Sequence, residues 1–180
     1  TDFPTGVSDP VWSPDGRWIA ATSKVYPECG ADAECNQTIK EAAENGPLEA
    51  YLADELLYRH WNEWRRGTYS HIVLVDAKTG EVVRDATPGR WDSPTFSLGG
   101  SPGYAFSPSS DELCFVSNRG SSPATSTIAD LWVTPVGEVV AAVEPRSLTE
   151  ANRGWDGAPV YSPDGRSIAY LSQETEGHES

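Results

Sequence analysis

Pro10-Val-Trp-Ser-Pro-Asp-Gly-Arg-Trp-Ile-Ala-Ala-Thr-Ser23 returns almost letter for letter as Pro159-Val-Tyr-Ser-Pro-Asp-Gly-Arg-Ser-Ile-Ala-Tyr-Leu-Ser172. A divergent copy, Tyr104-Ala-Phe-Ser-Pro-Ser-Ser-Asp-Glu-Leu-Cys-Phe-Val-Ser117, lies between them. Each copy reads as a short strand ending in aromatic-Ser-Pro, a tight turn, and a second apolar strand ending in Ser. Pro14 and Pro163 suit the second position of a type I turn, because the ring already fixes φ near the required value. Gly16 and Gly165 supply the positive φ that leads the chain into the next strand. The second strands are apolar on both faces, as expected of strands buried on both sides.

Outward from each hairpin comes a second strand pair. His71-Ile-Val-Leu-Val-Asp-Ala-Lys-Thr-Gly80 turns at Lys78-Thr-Gly into Glu81-Val-Val-Arg84, and Ala129-Asp-Leu-Trp-Val-Thr134 leads through Pro135-Val-Gly137 into a strand over Glu138–Val143. Four antiparallel strands repeated every few tens of residues describe the blade of a β-propeller. The fold class is therefore all-β: a partial β-propeller of about two and a half four-stranded blades with a small helical insertion. The blades cover residues 1–87, 88–149 and, as a half blade, 150–180. Ser107 and Ser162 are 55 residues apart but Ser13 and Ser107 are 94 apart, which places an insertion at 24–70 of the first blade. The third unit breaks off after Ser172 and the chain opens at Thr1 without Met, so it is expected to be one part of a larger protein.

Composition agrees with many short strands: 7 Trp, and 16 Gly beside 14 Pro. A net charge of −14 argues against nucleic acid or an anionic membrane as partner, since phosphate is repelled over most of such a surface. No apolar run approaches the roughly 20 residues that span a bilayer. Cys29 and Cys35 sit in a polar, loop-like stretch, and a disulfide between them is the leading reading, with two free thiols or metal ligation as alternatives. A disulfide points to an oxidising compartment, periplasmic or secreted. Cys114, inside Leu113-Cys-Phe-Val116, reads as a small core residue.

Strand direction alternates within a blade, so the Ser-Pro turns share one face. The connections 24–70, 88–103, 118–128 and 150–158 share the other, and a rigid scaffold that positions long loops marks that face as the working surface. In the 24–70 insertion, Asn36 is expected to cap a helix through Ala43 that ends at Gly46. Pro47 opens a second helix to Leu57, with Leu48, Leu52 and Leu56 on one side. Tyr58-Arg-His-Trp-Asn-Glu-Trp64-Arg-Arg66 closes it. Such a segment is either a Trp-stapled brace or a contact surface for substrate or another domain, where aromatics and Arg are favoured anchors.

The Ser-Pro-Asp-Gly hairpins, the run Asp54-Glu-Leu-Leu-Tyr-Arg-His-Trp-Asn-Glu-Trp64 followed by His71-Ile-Val-Leu-Val, and the Cys29/Cys35 insertion together resemble a known family. They are similar to the N-terminal propeller of bacterial prolyl oligopeptidase-family serine peptidases, of the dipeptidyl-peptidase and acylaminoacyl-peptidase type. The resemblance covers essentially the whole chain. It implies a propeller capping a C-terminal α/β-hydrolase domain that carries a Ser-Asp-His triad, with peptide as substrate and no cofactor. Acidic residues of a propeller insertion bind the free amino terminus of the substrate in dipeptidyl-peptidase relatives. Asp54, Glu55 and Glu63, with Arg59 among them, occupy a comparable insertion, although the relatives' paired-Glu motif is not matched residue for residue.

No catalytic residue is assigned within the chain. Gly99-Gly-Ser-Pro-Gly103 matches G-x-S-x-G, but Pro102 follows the serine and a strand begins where a nucleophile elbow needs a helix. His60, His71 and His178 do not group into a metal site by spacing. Trp91-Asp92 and Trp155-Asp156 recur ahead of first strands and read as a structural corner, while Asn36-Gln-Thr38 fits a glycosylation acceptor, a three-residue pattern too common to carry weight. The expected function is that of a non-catalytic propeller segment of a secreted serine exopeptidase, inert alone, with self-association through open blade edges. The rival is a periplasmic propeller that binds protein and catalyses nothing.

Overall fold

A computed structural model describes the chain except for residues 48, 49, 51, 52, 54, 61, 97–100, 138–142 and 178–180. Strands make up 36% of it and helix 8%, so the protein is all-β. Strands β1 (Ser8–Trp12) and β2 (Trp18–Val25) form the first Ser-Pro hairpin. Helix α1 (Ala33–Asn45) and the two-residue strands β3 (Arg59–His60) and β4 (Glu63–Trp64) follow within the insertion. Strands β5 (Tyr69–Asp76) and β6 (Val82–Asp85) complete an antiparallel sheet in the order β1-β2-β5-β6. A second sheet of the same plan joins β7 (Tyr104–Phe106), β8 (Glu112–Ser117), β9 (Asp130–Pro135) and β10 (Arg146–Ser147). Strands β11 (Asp156–Tyr161) and β12 (Ile168–Ser172) form the third hairpin.

The hairpin turns close through one repeated set of bonds. The Ser13 carbonyl accepts from Gly16 N at 2.9 Å, with Pro14 in the second position as the sequence implies. The Ser13 hydroxyl donates to Asp15 Oδ1 at 2.6 Å and accepts from Trp18 N at 2.9 Å. Ser162 makes the same three contacts to Gly165, Asp164 and Ser167. In the middle copy Ser110 stands in the glycine position at φ 64°, beside 72° at Gly16 and 68° at Gly165. The acceptor there has moved to Asp111, which takes the hydroxyls of Ser107 and Ser109.

The sheets pack face to face. Trp18, Ala20, Ile72 and Leu74 of the first meet Tyr104, Phe106, Leu113 and Phe115 of the second. Cys114, Val116, Leu131 and Val133, on the opposite face of the second sheet, meet Tyr161 and Ile168 of the third hairpin. The second sheet is thus buried on both sides, which explains why β8 reads as an unbroken apolar run.

Three expectations change. The helix cap is Asp32, whose Oδ1 accepts from Cys35 N at 2.9 Å. Asn36 lies inside α1 and is fully buried, accepting from Tyr26 N and donating to the carbonyls of Gly30 and Asp32, so its amide is committed to the fold rather than offered for glycosylation. The expected helix to Leu57 is not formed over its described residues Ala50, Ala53 and Glu55–Leu57. A helix that short needs a packed face, and Leu56 is 64% exposed; Leu48 and Leu52 lie outside the described residues. The fourth strand of the second sheet is Arg146–Ser147, paired with Val133 and Trp132, while most of the expected 138–143 strand falls outside the described residues and Val143 is not in a strand.

Candidate functional site

Residues 24–70 leave the first sheet at β2 and return at β5, and both ends are tied down. A disulfide joins Cys29 to Cys35 just ahead of and within α1. The buried Asn36 amide knots this turn to Tyr26. Lys40 Nζ donates to the Pro4 carbonyl at 3.0 Å and pins the helix to the N-terminal segment.

The return arm is the β3–β4 hairpin, with Arg59 opposite Trp64 and His60 opposite Glu63. Tyr58 and Trp64 stack at 5.9 Å between centroids, and His60 meets the Phe96 ring at 3.9 Å. Two arginines then fasten the arm to the connection after β6. Arg65 forms an ion pair with Asp92 and lies over the Tyr69 ring at 4.3 Å. Asp92 also accepts from Ser70 N at 2.8 Å, which fixes its position on β5. Arg90 reaches back to Glu55 at 2.8 Å and covers Tyr69 from 5.8 Å. Tyr69 and Glu55 raise the Arg90 pKa above its ordinary value, Tyr69 being the larger cause. The latch is therefore polar at its rim and aromatic at its centre.

Below it, His71 is fully buried on β5, 2.7 Å from Asp85 and 2.8 Å from the Gly89 carbonyl. Thr87 plugs the sheet by accepting from Ile72 N at 2.9 Å, and Thr149 does the same for Leu131 N at 3.0 Å.

Of the residues singled out in the sequence, Glu55 is brought to Arg90. Arg59 and Glu63 stand exposed on opposite strands of the hairpin, and Asp54 lies outside the described residues. Ser101 accepts from Gly103 N at 3.4 Å in a loop that runs into β7, without the helix a nucleophile elbow requires. Among the described residues no group of three or more His, Cys, Asp or Glu could hold a metal ion. A cavity of about 330 Å³ lies elsewhere, at the seam between β9–β10 and the third hairpin, beside Arg146, Tyr161 and Arg166.

No family model matches the chain. It is 28% identical over 134 residues to dipeptidyl-peptidase 5 of Porphyromonas gingivalis, an alignment covering 72% of this chain and 19% of that protein. Against dipeptidyl-peptidase 5 of Porphyromonas endodontalis it is 23% identical over 189 residues, 100% of this chain and 25% of the other. The uncharacterized peptidase YuxL of Bacillus subtilis is 32% identical over 134 residues, 74% of this chain and 18% of its own length. The chain is a peptidase-related segment. It spans between about a fifth and a quarter of these curated relatives.

Sequence reasoning missed Arg90, the latch partner of Glu55, and the His71–Asp85 pair, whose members are remote in the chain. Asp92 and Arg65 were visible as the Trp-Asp repeat and the basic end of the insertion. Thr87 and Thr149 could have been found by aligning the two units, since each follows a fourth strand by the same interval.

Proposed function

We propose that this chain is part of the β-propeller of a periplasmic or secreted serine exopeptidase, and that it gates access and helps bind peptide termini. The two four-stranded sheets would be blades 1–87 and 88–149, and residues 150–180 the inner half of a third. Peptide hydrolysis belongs to an α/β-hydrolase domain elsewhere in the parent; this chain by itself is inert. Alignment of the whole chain to a protein named dipeptidyl-peptidase 5 carries the reading. The disulfide supports an oxidising compartment. The free edge of β12, with Leu171 64% exposed beside it, is where a further strand or a second chain would add.

In this reading the 24–70 insertion faces the entrance, where Glu55, Arg59 and Glu63 meet the peptide or the hydrolase domain. The test is kinetic. In the full-length parent, Arg59→Ala and Glu63→Ala are expected to change kcat/KM on dipeptidyl chromogenic substrates while Tm moves little, because misplaced substrate loses transition-state binding. Wild-type kinetics in both variants across several peptide lengths makes the insertion a brace, and a parent without dipeptidyl hydrolysis removes the peptidase reading.

A further inference from the structure

Arg119 opens the connection from β8 to β9, at the strand end that corresponds to the start of the 24–70 insertion in the first sheet. Its guanidinium lies over two rings that are cross-strand neighbours, 5.4 Å from Phe115 and 5.0 Å from Trp132. Nε and Nη2 are buried and have no hydrogen-bond partner among the described residues. Three other arginines are engaged by oxygen: Arg65 by Asp92, Arg84 by the Pro135 carbonyl, Arg90 by Glu55. Asp85 and Glu144 contribute to the field at Arg119 without forming an ion pair with it, and Asp85 is already held by His71.

Buried guanidinium nitrogens without an acceptor are unfavourable, and aromatic faces return only part of the lost hydration. Nε–H and Nη2–H lie along one edge of the guanidinium plane, spaced to receive both oxygens of a carboxylate. We propose that Arg119 is a receptor for the carboxylate of a bound peptide, held bidentately along the Nε–Nη2 edge. The side chain lifts from the rings to receive it and exchanges cation–π contacts for charge-assisted hydrogen bonds. A net charge of −14 works against polyanionic ligands and leaves a single carboxylate as the fitting anion. That the carboxylate belongs to a peptide rests on the peptide-handling function proposed above; the two terminal or side-chain sources share one chemistry.

Three N-acetylated tripeptides separate the possibilities in binding to the 180-residue chain, followed by calorimetry and by the Arg119 Nε–H resonance. They are Ac-Ala-Ala-Ala with a free C-terminus, Ac-Ala-Glu-Ala amide, and Ac-Ala-Ala-Ala amide. At least one of the two acids is expected to bind at least tenfold more tightly than the neutral amide and to shift the Arg119 resonance; which acid does so identifies the source of the carboxylate. Arg119→Gln abolishes the difference, and Arg119→Lys keeps under a tenth of the affinity, because an ammonium has no fork. Equal binding of acid and amide, or an unmoved Arg119 signal at saturation, overturns the proposal; should Arg119→Gln not fold, this wild-type comparison still decides. The blocked amino termini keep the result independent of Glu55 and Glu63, so failure here together with altered kinetics in the Arg59→Ala and Glu63→Ala parent variants removes the Arg119 site and leaves the peptidase reading standing.

Discussion

His71 and Asp85 are paired in the interior of the first sheet, Nδ1 2.7 Å from Oδ2, with Nε2 2.8 Å from the Gly89 carbonyl. Both ring nitrogens are thus held by oxygen. The other Asp85 oxygen accepts from Thr87 N, so the pair fixes the start of the connection that bears Arg90 and Asp92. Removing the imidazole leaves a buried carboxylate without its partner. His71→Leu is expected to cost ~3–5 kcal/mol in urea denaturation, and His71→Leu/Asp85→Leu less than the sum of the two single losses. Strict additivity would mean that the two side chains do not act as a pair.

Acid stability follows from the hairpin turns. The Ser13 hydroxyl, then the Arg17 amide, holds the Asp15 pKa below its ordinary value. The Ser109 and Ser107 hydroxyls do so for Asp111, and the Ser162 hydroxyl with the Arg166 amide for Asp164. A folded-state pKa below the unfolded one means the unfolded chain takes up protons first, so this stability is present above the unfolded value and is lost as pH falls through the folded one. Urea midpoints are expected to be independent of pH through these groups near neutrality, where their contribution is complete, and to decline below pH ~4. In the triple variant Asp15→Asn, Asp111→Asn, Asp164→Asn that decline is shallower; an unchanged acid limb assigns it to other carboxylates.

Burial pushes the Cys114 thiol up to about 12, which leaves almost no thiolate at neutral pH. Alkylation of the native, unreduced protein is expected to label no cysteine, and denaturation without reductant to release one thiol. Reduction of the Cys29–Cys35 bond, which closes a short loop with a sequence separation of 6, is expected to lower stability by about 2 kcal/mol. Rapid native labelling of Cys114 would show that the second sheet opens readily.

The hairpins were legible in the sequence because their chemistry is local: serine, proline, aspartate and glycine within a few residues specify turn, cap and exit angle together. The insertion was harder. Leu56, spaced for a helix with Leu48 and Leu52, is left exposed, and Asn36 resembled a cap because its role depends on Tyr26 and Gly30 folding back over it. The latch was least legible. Glu55 reads as an open acid until Arg90, far along the chain in the connection after β6, reaches it.

The middle hairpin replaces glycine with Ser110 and shifts its carboxylate from the Asp15 position to Asp111, yet the serine that opens each turn, Ser13, Ser107 or Ser162, still finds an aspartate for its hydroxyl. What descends from copy to copy is a bond rather than a letter. Two aligned columns can each look freely variable while the pair of them is under one constraint, and drift is tolerated along any route that never leaves the hydroxyl without an acceptor. Ancestry in such arrays is therefore better counted in donors and acceptors than in matched residues, and copies too eroded for letter-by-letter comparison remain recognisable by their wiring.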